Sequence, residues 1–406
     1  MSWLKPGDDI KIGPYKIAFT GNELKHSKTA ESYQIDAVGI NKWVSKSVNL
    51  LKNISISVGQ NEFVALVGMS GAGKSTFMDA INGFRPATHG KVYVNGIDLY
   101  QNYAMFRDDI GNVPQKDIVH TELTPVQALD YAAQLRMPAD TNSQERKAAI
   151  NETLEDLGLT FKKDIPISRL SGGQLKRVSI GVELLTKPRL FFLDEPTSGL
   201  DPGTEYEMMK LLRRLADQGR TIMIITHATK NVMFCDKAII LAKGGNMAFY
   251  GPPEEALEYF DTFRTSRERL EKDMEFDDIY RILTDEKRGK PEEWRERYLQ
   301  SKYARYCTPE QPQQPINQNV TGAGRQHRGR RISPLKQFMI LSARNLKCMI
   351  QDKVSLGLTL ALAPVLGLMN FIWGTQLFDP VFGSASKVMS MWFISAVIAL
   401  LVGAMG

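Results

Sequence analysis

The chain has 406 residues, of which 43% are hydrophobic and 24% charged, a composition typical of folded domains and sufficient for two or three of them. Its net charge of +6 is local, because Arg325, Arg328, Arg330 and Arg331 cluster in one segment. That cluster indicates a membrane-facing or phosphate-facing patch and argues against a nucleic-acid-binding surface over the whole protein. The three cysteines lack metal-ligand spacing, which argues against a disulfide framework and favours a reducing cytosolic setting.

Residues 1–25 predict an N-terminal hairpin. Asp9–Ile12 and Tyr15–Phe19 alternate apolar and polar side chains around Gly13-Pro14. An isolated hairpin is marginal in water, so we expect it to pack on another part of the protein. The run 7–13 also resembles the closing strands of a forkhead-associated domain, a phosphothreonine-reading fold whose body would lie upstream. An ordinary hairpin explains the run equally well.

Residues 34–260 predict an α/β domain. Three apolar runs, 63–67, 190–193 and 221–225, are followed or separated by segments of helical pattern. Strands that are apolar on both faces are typical of a buried, mostly parallel sheet flanked by helices, and the spacing between the runs leaves room for crossover helices. We therefore expect an α/β core in this region.

The next segments connect that domain to a different kind of structure. Residues 261–331 predict a charged helical segment followed by a flexible linker rich in Pro, Gln, Gly and Arg, which occupies 308–331. Ser333-Pro334 is a helix-start signal, so residues 332–352 predict one helix with interleaved apolar and basic side chains.

Residues 353–406 predict the start of a transmembrane domain. The runs 354–374 and 388–406 carry no charge, and about twenty helical residues span roughly 30 Å, the thickness of the hydrocarbon core of a bilayer. Lys and Arg far outnumber acidic residues just before the first run, which predicts a cytoplasmic location for the α/β domain. Because the chain stops inside the second run, we expect truncation at the C-terminus, and truncation at the N-terminus stays open.

The segment between the first apolar strand and the next helix predicts a phosphate-binding loop. Residues 68–76 match G-x-x-x-x-G-K-[ST]. Glycines let backbone N–H groups approach phosphates, and a helix N-terminus adds partial positive charge. Lys74 would supply a cation to the β- and γ-phosphates, and Ser75 a hydroxyl to Mg²⁺.

Two carboxylates follow the apolar run 190–193. Asp194 would hold Mg²⁺, and Glu195 would accept a proton from the attacking water or orient it. An isolated acidic pair before Pro196 is also compatible with a helix cap. The nucleotide site is favoured because this pair occurs together with the phosphate-binding loop.

Further motifs resemble those of the ABC ATPases. Residues 170–174 (LSGGQ) resemble the signature motif, 113–115 (VPQ) the Q-loop, 198–201 (SGLD) the D-loop, and 226–227 (TH) the switch histidine, all in the order found in that family. The resemblance implies ATP and Mg²⁺ as cofactors and ATP hydrolysis as the reaction. Trp43 is a candidate for stacking on adenine, although a packing role explains it equally well.

The resemblance also implies a role for each motif. Gln115 would contact Mg²⁺ and the attacking water, and His227 would donate to the γ-phosphate. Ser171 and Gly173 would reach the nucleotide of a second subunit, and Asp201 would communicate across the same interface. The predicted catalytic residues are thus Lys74, Gln115, Glu195 and His227, and the predicted metal ligands Ser75, Gln115 and Asp194. The predicted nucleotide-binding residues are Gly68, Ser70, Gly71, Ala72, Gly73, Lys74, Ser75, Thr76, Gln115, Ser171, Gly172, Gly173 and Asp201.

Three segments resemble the G subfamily, the half-transporters of white type and their pleiotropic-drug-resistance relatives. They are 176–184 (KRVSIGVEL), 124–138, and 250–260, which begins Tyr250-Gly251-Pro252-Pro253. The order, with the cassette before the membrane helices, agrees with that subfamily. Gly203 departs from it, because the subfamily usually has Ser soon after the D-loop Asp.

The sequence therefore predicts the ATP-hydrolysing subunit of a G-type exporter in a plasma or inner membrane. Its expected partners are a second cassette, identical or different, the lipid bilayer and an unidentified transported substrate, without nucleic acid. Two alternatives stay open, a soluble ABC ATPase acting on DNA or ribosomes and a non-hydrolysing, membrane-anchored regulatory module. Intact Lys74, Glu195 and His227 argue against the second of these.

Overall fold

The computed structural model describes residues 32–307 except 139 and 228, residues 333–353, and residues 356–358, 360, 361 and 364; for 9–12, 15–19 and 24–26 it gives the backbone. The chain divides into two compact units. One comprises residues 1–119 and 124–332, and the other residues 120–123 and 333–406.

The first unit begins with a small antiparallel sheet. Its strands are β1 (Asp9–Ile12), β2 (Tyr15–Phe19) and β3 (Leu24–His26), in the order β1-β2-β3. The first two form the predicted hairpin, with Ile10 opposite Ile17. The third strand was not predicted, because three residues are too few to show an alternating pattern.

A second antiparallel sheet and a short ribbon come next. The strands are β4 (Ile35–Asn41), β5 (Trp43–Ser45), β6 (Val48–Asn49), β7 (Ile54–Val58), β9 (His89–Val94) and β10 (Ile97–Asp98). The sheet has the order β10-β9-β4-β7, while β5 and β6 form a two-stranded sheet of their own. Alternate residues of β7 are buried, which is the two-residue period expected of a strand with one face on the core.

The central sheet has six strands in the order β11-β12-β13-β8-β14-β15. They are β8 (Phe63–Gly68), β11 (Ile110–Val113), β12 (Leu190–Asp194), β13 (Thr221–Ile225), β14 (Lys237–Ala242) and β15 (Asn246–Gly251). Neighbours pair in parallel except β15, which is antiparallel to β14. Every residue of β8 and β13 is buried, which explains why their sequences are apolar on both faces.

Helices α1 (Lys74–Ile81) and α6 (Pro202–Asp217) pack against this sheet, and α2 (Tyr103–Phe106) lies between β10 and β11 in sequence. A helical subdomain is formed by α3 (Pro125–Arg136), α4 (Ser143–Asp156) and α5 (Gly172–Leu184), which contact one another. Each of these three begins at a capping box, formed by Thr124, Asn142 and Ser171, which satisfies backbone N–H groups that the helix itself leaves free.

In the first unit the last strand is followed by the helices α7 (Pro253–Asp261), α8 (Ser266–Glu271), α9 (Phe276–Thr284) and α10 (Pro291–Leu299). The helix α10 packs on β15, where the ring centroid of Tyr298 lies 5.6 Å from that of Phe249, and on α7 and the residues after it through Trp294. Trp294 lies 4.9 Å from Phe263 and 6.0 Å from Phe260, measured between ring centroids. The charged sequence of 261–300 thus contains a buried apolar face that fixes these helices to the sheet.

The second unit contains α11 (Pro334–Gln351), which begins where Ser333-Pro334 predicts a helix start. The hydroxyl of Ser333 accepts a hydrogen bond from the N–H of Lys336. Leu335, Phe338 and Met339 are exposed apolar residues of this helix. Among the residues that the structure describes, no helix has the length and apolar character needed to cross a membrane. The predicted spans at 354–374 and 388–406 fall almost entirely outside those residues and stay predictions.

Candidate active site

The phosphate-binding loop joins the end of β8 to the start of α1 at the carboxyl edge of the central sheet. Gly68 and Gly73 have φ angles of 153° and 92°. A Cβ on Gly68 would lie 2.5 Å from the carbonyl oxygen of Leu241, and one on Gly73 would lie 3.0 Å from that of Leu50. Only glycine fits both positions. Because α1 has no side-chain cap, its first N–H groups are available to an anion.

Lys74 directs its ammonium group back over this loop. Its Nζ donates to the carbonyl oxygens of Gly68 at 2.8 Å and Met69 at 3.0 Å. Burial lowers the pKa of Lys74, while the nearby carboxylates of Glu195 and Asp194 act in the opposite direction. Among the described residues no carboxylate forms an ion pair with Lys74, so its charge can serve the phosphate of a ligand.

Ser75 and Asp194 place two oxygen donors beside the loop. The Ser75 hydroxyl donates a hydrogen bond to the Asp194 carboxylate at the end of β12. Burial raises the pKa of Asp194, the bond from Ser75 lowers it, and the charges of Glu195 and Asp79 raise it further. Concentrated negative charge on hard oxygen donors suits a Mg²⁺ ion, which prefers such ligands.

Glu195 is held by two side chains from different parts of the fold. The amide Nε2 of Gln115 donates to Oε2 at 2.8 Å, and Nε2 of His227 lies 3.0 Å from Oε1. The backbone N–H of Glu195 donates to the carbonyl of Ile225 at 3.0 Å, which fixes its position against β13. Glu195 also has a φ of 49°, a left-handed conformation that costs a non-glycine residue about 1–3 kcal/mol.

The topology explains why these residues meet. The strands β8, β13, β12 and β11 are adjacent and parallel, so the residues that follow them all emerge at one edge. The predicted residues Lys74, Ser75, Gln115, Asp194, Glu195 and His227 lie there. Of the rest of the loop, Ala72 is buried, whereas Ser70 and Gly71 are exposed. This edge can bind a phosphate, hold a cation and position a general base.

The signature motif forms a separate surface. Ser171 is the N-cap of α5, and its hydroxyl accepts from the N–H of Gln174 at 3.3 Å. A Cβ on Gly173 would lie only 2.3 Å from Cγ2 of Thr204 in α6, so this glycine permits the close packing of the two helices. No hydrogen bond among the described residues joins Ser171, Gly172 or Gly173 to the loop or to Glu195.

Asp201 is the N-cap of α6. Its carboxylate accepts from the N–H groups of Gly203 and Thr204, each at 3.1 Å, and from the Thr204 hydroxyl at 2.6 Å. These bonds, led by that of the Thr204 hydroxyl, lower the pKa of Asp201. Trp43 lies on the exposed ribbon of β5 and β6, and 40% of it is accessible.

Three residues to which the sequence gave no role form contacts at the Q-loop and just after it, namely Asp117, Lys176 and Ser179. Lys176 donates to the Gln115 carbonyl, and both Lys176 and Ser179 contact Asp117. Two of them, Lys176 and Ser179, were noted only as part of a subfamily segment. The polar residues Lys176, Ser179 and Glu183 recur at helical spacing among apolar neighbours, and this stripe was the signal that could have identified the first two.

Comparisons with known proteins match the part of the chain that contains these residues. The family model described as ABC transporter matches residues 51–198. An ABC transporter ATP-binding/permease protein of Mycobacterium tuberculosis is 34% identical over 354 residues, which are 86% of this chain and 38% of that protein. ABC transporter G family member 28 of Arabidopsis thaliana is 37% identical over 227 residues, 53% of this chain and 20% of that protein. The chain therefore spans less than half the length of these relatives.

A solved structure is similar over nearly all of its length. CbiO1 of Clostridium perfringens, part of the ABC transporter complex CbiONQ, is 30% identical with a TM-score of 0.52. The match covers 59% of this chain and 96% of CbiO1. The P-loop cassette fold expected from the sequence is thereby confirmed.

Proposed function

The chain belongs to the ABC transporter family, and we propose that its cassette hydrolyses MgATP as one half of a head-to-tail dimer in a G-type exporter. ATP hydrolysis is the activity of this family's cassettes. The observation that carries the proposal is the pair of contacts on Glu195. A carboxylate held by both Gln115 and His227, beside a phosphate-binding loop, is placed to act on water next to a γ-phosphate.

Each residue has a chemical task in this proposal. The N-terminus of α1 and Lys74 bind the β- and γ-phosphates. Ser75, Asp194 and Gln115 would hold Mg²⁺, which would neutralise phosphate charge when bound. Glu195 orients the attacking water and accepts its proton as the bond between the γ-phosphorus and the bridging oxygen breaks. His227 donates to a γ-phosphate oxygen, whose charge grows during that step.

The dimer completes the site. In this proposal Ser171 and Gly173, at the N-terminus of α5, contact the nucleotide bound to the second chain, while Asp201 lies at the same interface. The capping box of α5 occupies the N–H groups of Ser171 and Gln174, and those of Gly172 and Gly173 lie outside it. Helix N-termini bind anions through such N–H groups, and Ser171 and Gly172 are exposed, as a contact with a second chain requires. Each chain would thus contribute to two composite sites.

The remaining segments receive proposed roles in transport. We assign residues 34–260 to the cassette, 261–331 to a helical segment and linker, 332–352 to a helix connecting to the membrane, and 353–406 to the start of a membrane domain. The exposed apolar residues of α11 and its Lys336, Arg344 and Lys347 support contact with a lipid surface, because such helices lie at membrane interfaces. The cassette would be cytoplasmic, and residues 1–25 keep the two interpretations given above.

The testing experiment measures phosphate release by the purified chain with MgATP, beside Glu195→Gln, with oligomeric state determined on the same samples. We expect wild type to hydrolyse ATP, and Glu195→Gln to bind ATP, turn over slowly and accumulate as a dimer. Binding by both without hydrolysis by either would favour the regulatory module instead. Failure of wild type to bind ATP would overturn the proposal.

A further inference from the structure

A polar contact connects α5, called here the signature helix because it begins at the signature motif, to the Q-loop. The ammonium group of Lys176 donates to the backbone carbonyl of Gln115 at 2.6 Å and lies 3.3 Å from Oδ2 of Asp117. The hydroxyl of Ser179 donates to Oδ1 of the same carboxylate at 2.8 Å. We call Asp117, Lys176 and Ser179 the Q-loop link.

The two side chains from α5 are buried, whereas Asp117 is exposed, so the partners of Lys176 and Ser179 are set by the fold. Lys176 is 8% exposed and Ser179 2% exposed. A buried ammonium group is costly unless it is paired and hydrogen-bonded; Asp117 supplies the carboxylate and Gln115 the carbonyl. Lys176 and Ser179 are three residues apart and therefore share one face of α5.

The same face continues to the next turn. Glu183, 4% exposed, accepts from the backbone N–H of Asn112 at 3.3 Å and pairs with Arg136 at 2.7 Å. Consecutive turns of α5 thus contact the chain from Asn112 in β11, through Gln115 of the Q-loop, to Asp117. A shift of α5 must move this segment or break several buried polar contacts.

The Q-loop link ends at the candidate active site. The backbone of Gln115 is held by Lys176, and its side-chain amide donates to Glu195 at 2.8 Å. The opposite end of the connection is the N-terminus of α5, where Ser171 and Gly173 lie. One rigid helix therefore joins the signature motif to the amide that orients Glu195.

We propose that Lys176 and Ser179 are positioning residues that transmit the position of the signature helix to Gln115, and so make hydrolysis at one composite site depend on nucleotide at the other. The inference rests on the proposed function, because it requires the signature motif to contact the second chain's ATP. The signature motif of one chain would then contact the ATP bound to the second chain, while Gln115 would act on the ATP bound to its own chain. Occupancy of both sites would set Gln115 correctly in both chains, which produces cooperative hydrolysis.

The test compares phosphate release against MgATP concentration for wild type, Lys176→Met, Lys176→Arg and Ser179→Ala. For Lys176→Met we expect kcat to fall at least about ten-fold, because misplacement of a group near the reacting atoms is costly. Its KM for ATP should change less than about two-fold, and its Hill coefficient should fall toward one. For Ser179→Ala we expect kcat to fall only about three- to five-fold, because Asp117 keeps its contact with Lys176. Lys176→Arg, which keeps the charge and the donors, should recover most of the activity.

Two controls separate positioning from general damage. Lys147→Met makes the same substitution at an exposed lysine of α4 and should behave as wild type. In a Gln115→Ala background Lys176→Met should add little further loss, because its effect passes through the Gln115 amide. The inference would be overturned if Lys176→Met lowered kcat in the Gln115→Ala background as much as it does alone. It would also be overturned if folded Lys176→Met had the kcat and the Hill coefficient of wild type.

The outcomes also distinguish this inference from the proposed function. If Lys176→Met does not fold, Ser179→Ala decides, since it removes one hydroxyl and keeps the ion pair; unchanged kcat and cooperativity in that variant contradict the link. If wild type hydrolyses ATP and Glu195→Gln forms the trapped dimer while the link variants are normal, only this inference fails. If wild type does neither, the proposed function fails and the inference falls with it.

Discussion

Nε2 of His227 lies 3.0 Å from Oε1 of Glu195, although the two residues are 32 positions apart in the sequence. Each follows a strand of the central sheet, His227 after β13 and Glu195 after β12, and these strands are parallel neighbours. The contact depends on backbone register, because Glu195 continues the pairing through its N–H to Ile225. A donor and a base are thereby held at one edge of the sheet.

The contact predicts a selective loss of turnover in His227→Ala. Removing one donor that stabilises developing charge typically costs about 10²–10³-fold in kcat. Nucleotide binding should persist, because the phosphate-binding loop and Lys74 are unchanged. Single-turnover phosphate release and equilibrium binding of a fluorescent ATP analogue measure the two effects. Loss of binding parallel to loss of turnover would contradict this role.

The burial of Asp194 predicts that its substitution has opposite effects on the stability of the fold and on ATP hydrolysis. Burial raises the pKa of this carboxyl group, so the folded state binds its proton more tightly than the unfolded state does, and the ionised form destabilises the fold. Asp194→Asn should therefore raise the thermal midpoint at neutral pH in the presence of EDTA while abolishing Mg²⁺-dependent hydrolysis.

The pH dependence of that stabilisation follows from its sign. The penalty on Asp194 is present above its raised folded-state pKa and disappears as the pH falls toward the ordinary value of 3.8. The advantage of Asp194→Asn should be largest at neutral pH and should shrink on acidification, as read from thermal midpoints across a pH series. An advantage that grows at low pH would show that burial of this carboxylate is not its cause.

Trp294 tests whether the helices after the sheet belong to the same folding unit. Its side chain is fully buried, and its ring contacts those of Phe260 and Phe263. Trp294→Ala should destabilise the protein by about 3–5 kcal/mol because it opens a large cavity. The indole N–H has no hydrogen-bond partner among the described residues, so Trp294→Phe should cost less than half as much. Denaturant unfolding measures both, and Leu299→Ala, at an exposed site of α10, is the control.

The sequence predicts well those features that depend on local pattern. The apolar runs correspond to β8, β12 and β13, and the start of α11 coincides with Ser333-Pro334. Antiparallel pairing of β15 with β14 was not predicted, because strand direction depends on the connection and leaves no trace in a short apolar run. The same limit applies to Lys176, since hydrophobic periodicity cannot tell which distant groups a buried ammonium contacts.

The packing of Gly173 against Thr204 predicts that a substitution of the glycine slows hydrolysis and that a second substitution, at the threonine, restores it. A Cβ at this position would lie 2.3 Å from Cγ2 of Thr204, so Gly173→Ala must displace α5 from α6 or move the threonine. We expect Gly173→Ala to lose hydrolysis by at least about ten-fold, because the displaced helix carries both Ser171 and the contacts to Gln115. Thr204→Ser removes the methyl group that clashes and keeps the hydroxyl that donates to Asp201.

The double variant Gly173→Ala with Thr204→Ser separates two causes of that loss. If the loss comes from helix packing, the double variant should recover most of the wild-type rate of phosphate release, while Thr204→Ser alone stays near wild type. If Gly173 is needed because a nucleotide of the second chain approaches its backbone, the extra methyl group still blocks that approach and the rate stays low. In that case the ATP-trapped dimer of the Glu195→Gln background should also weaken, which places the effect at the interface between the two cassettes and away from the contact of α5 with α6.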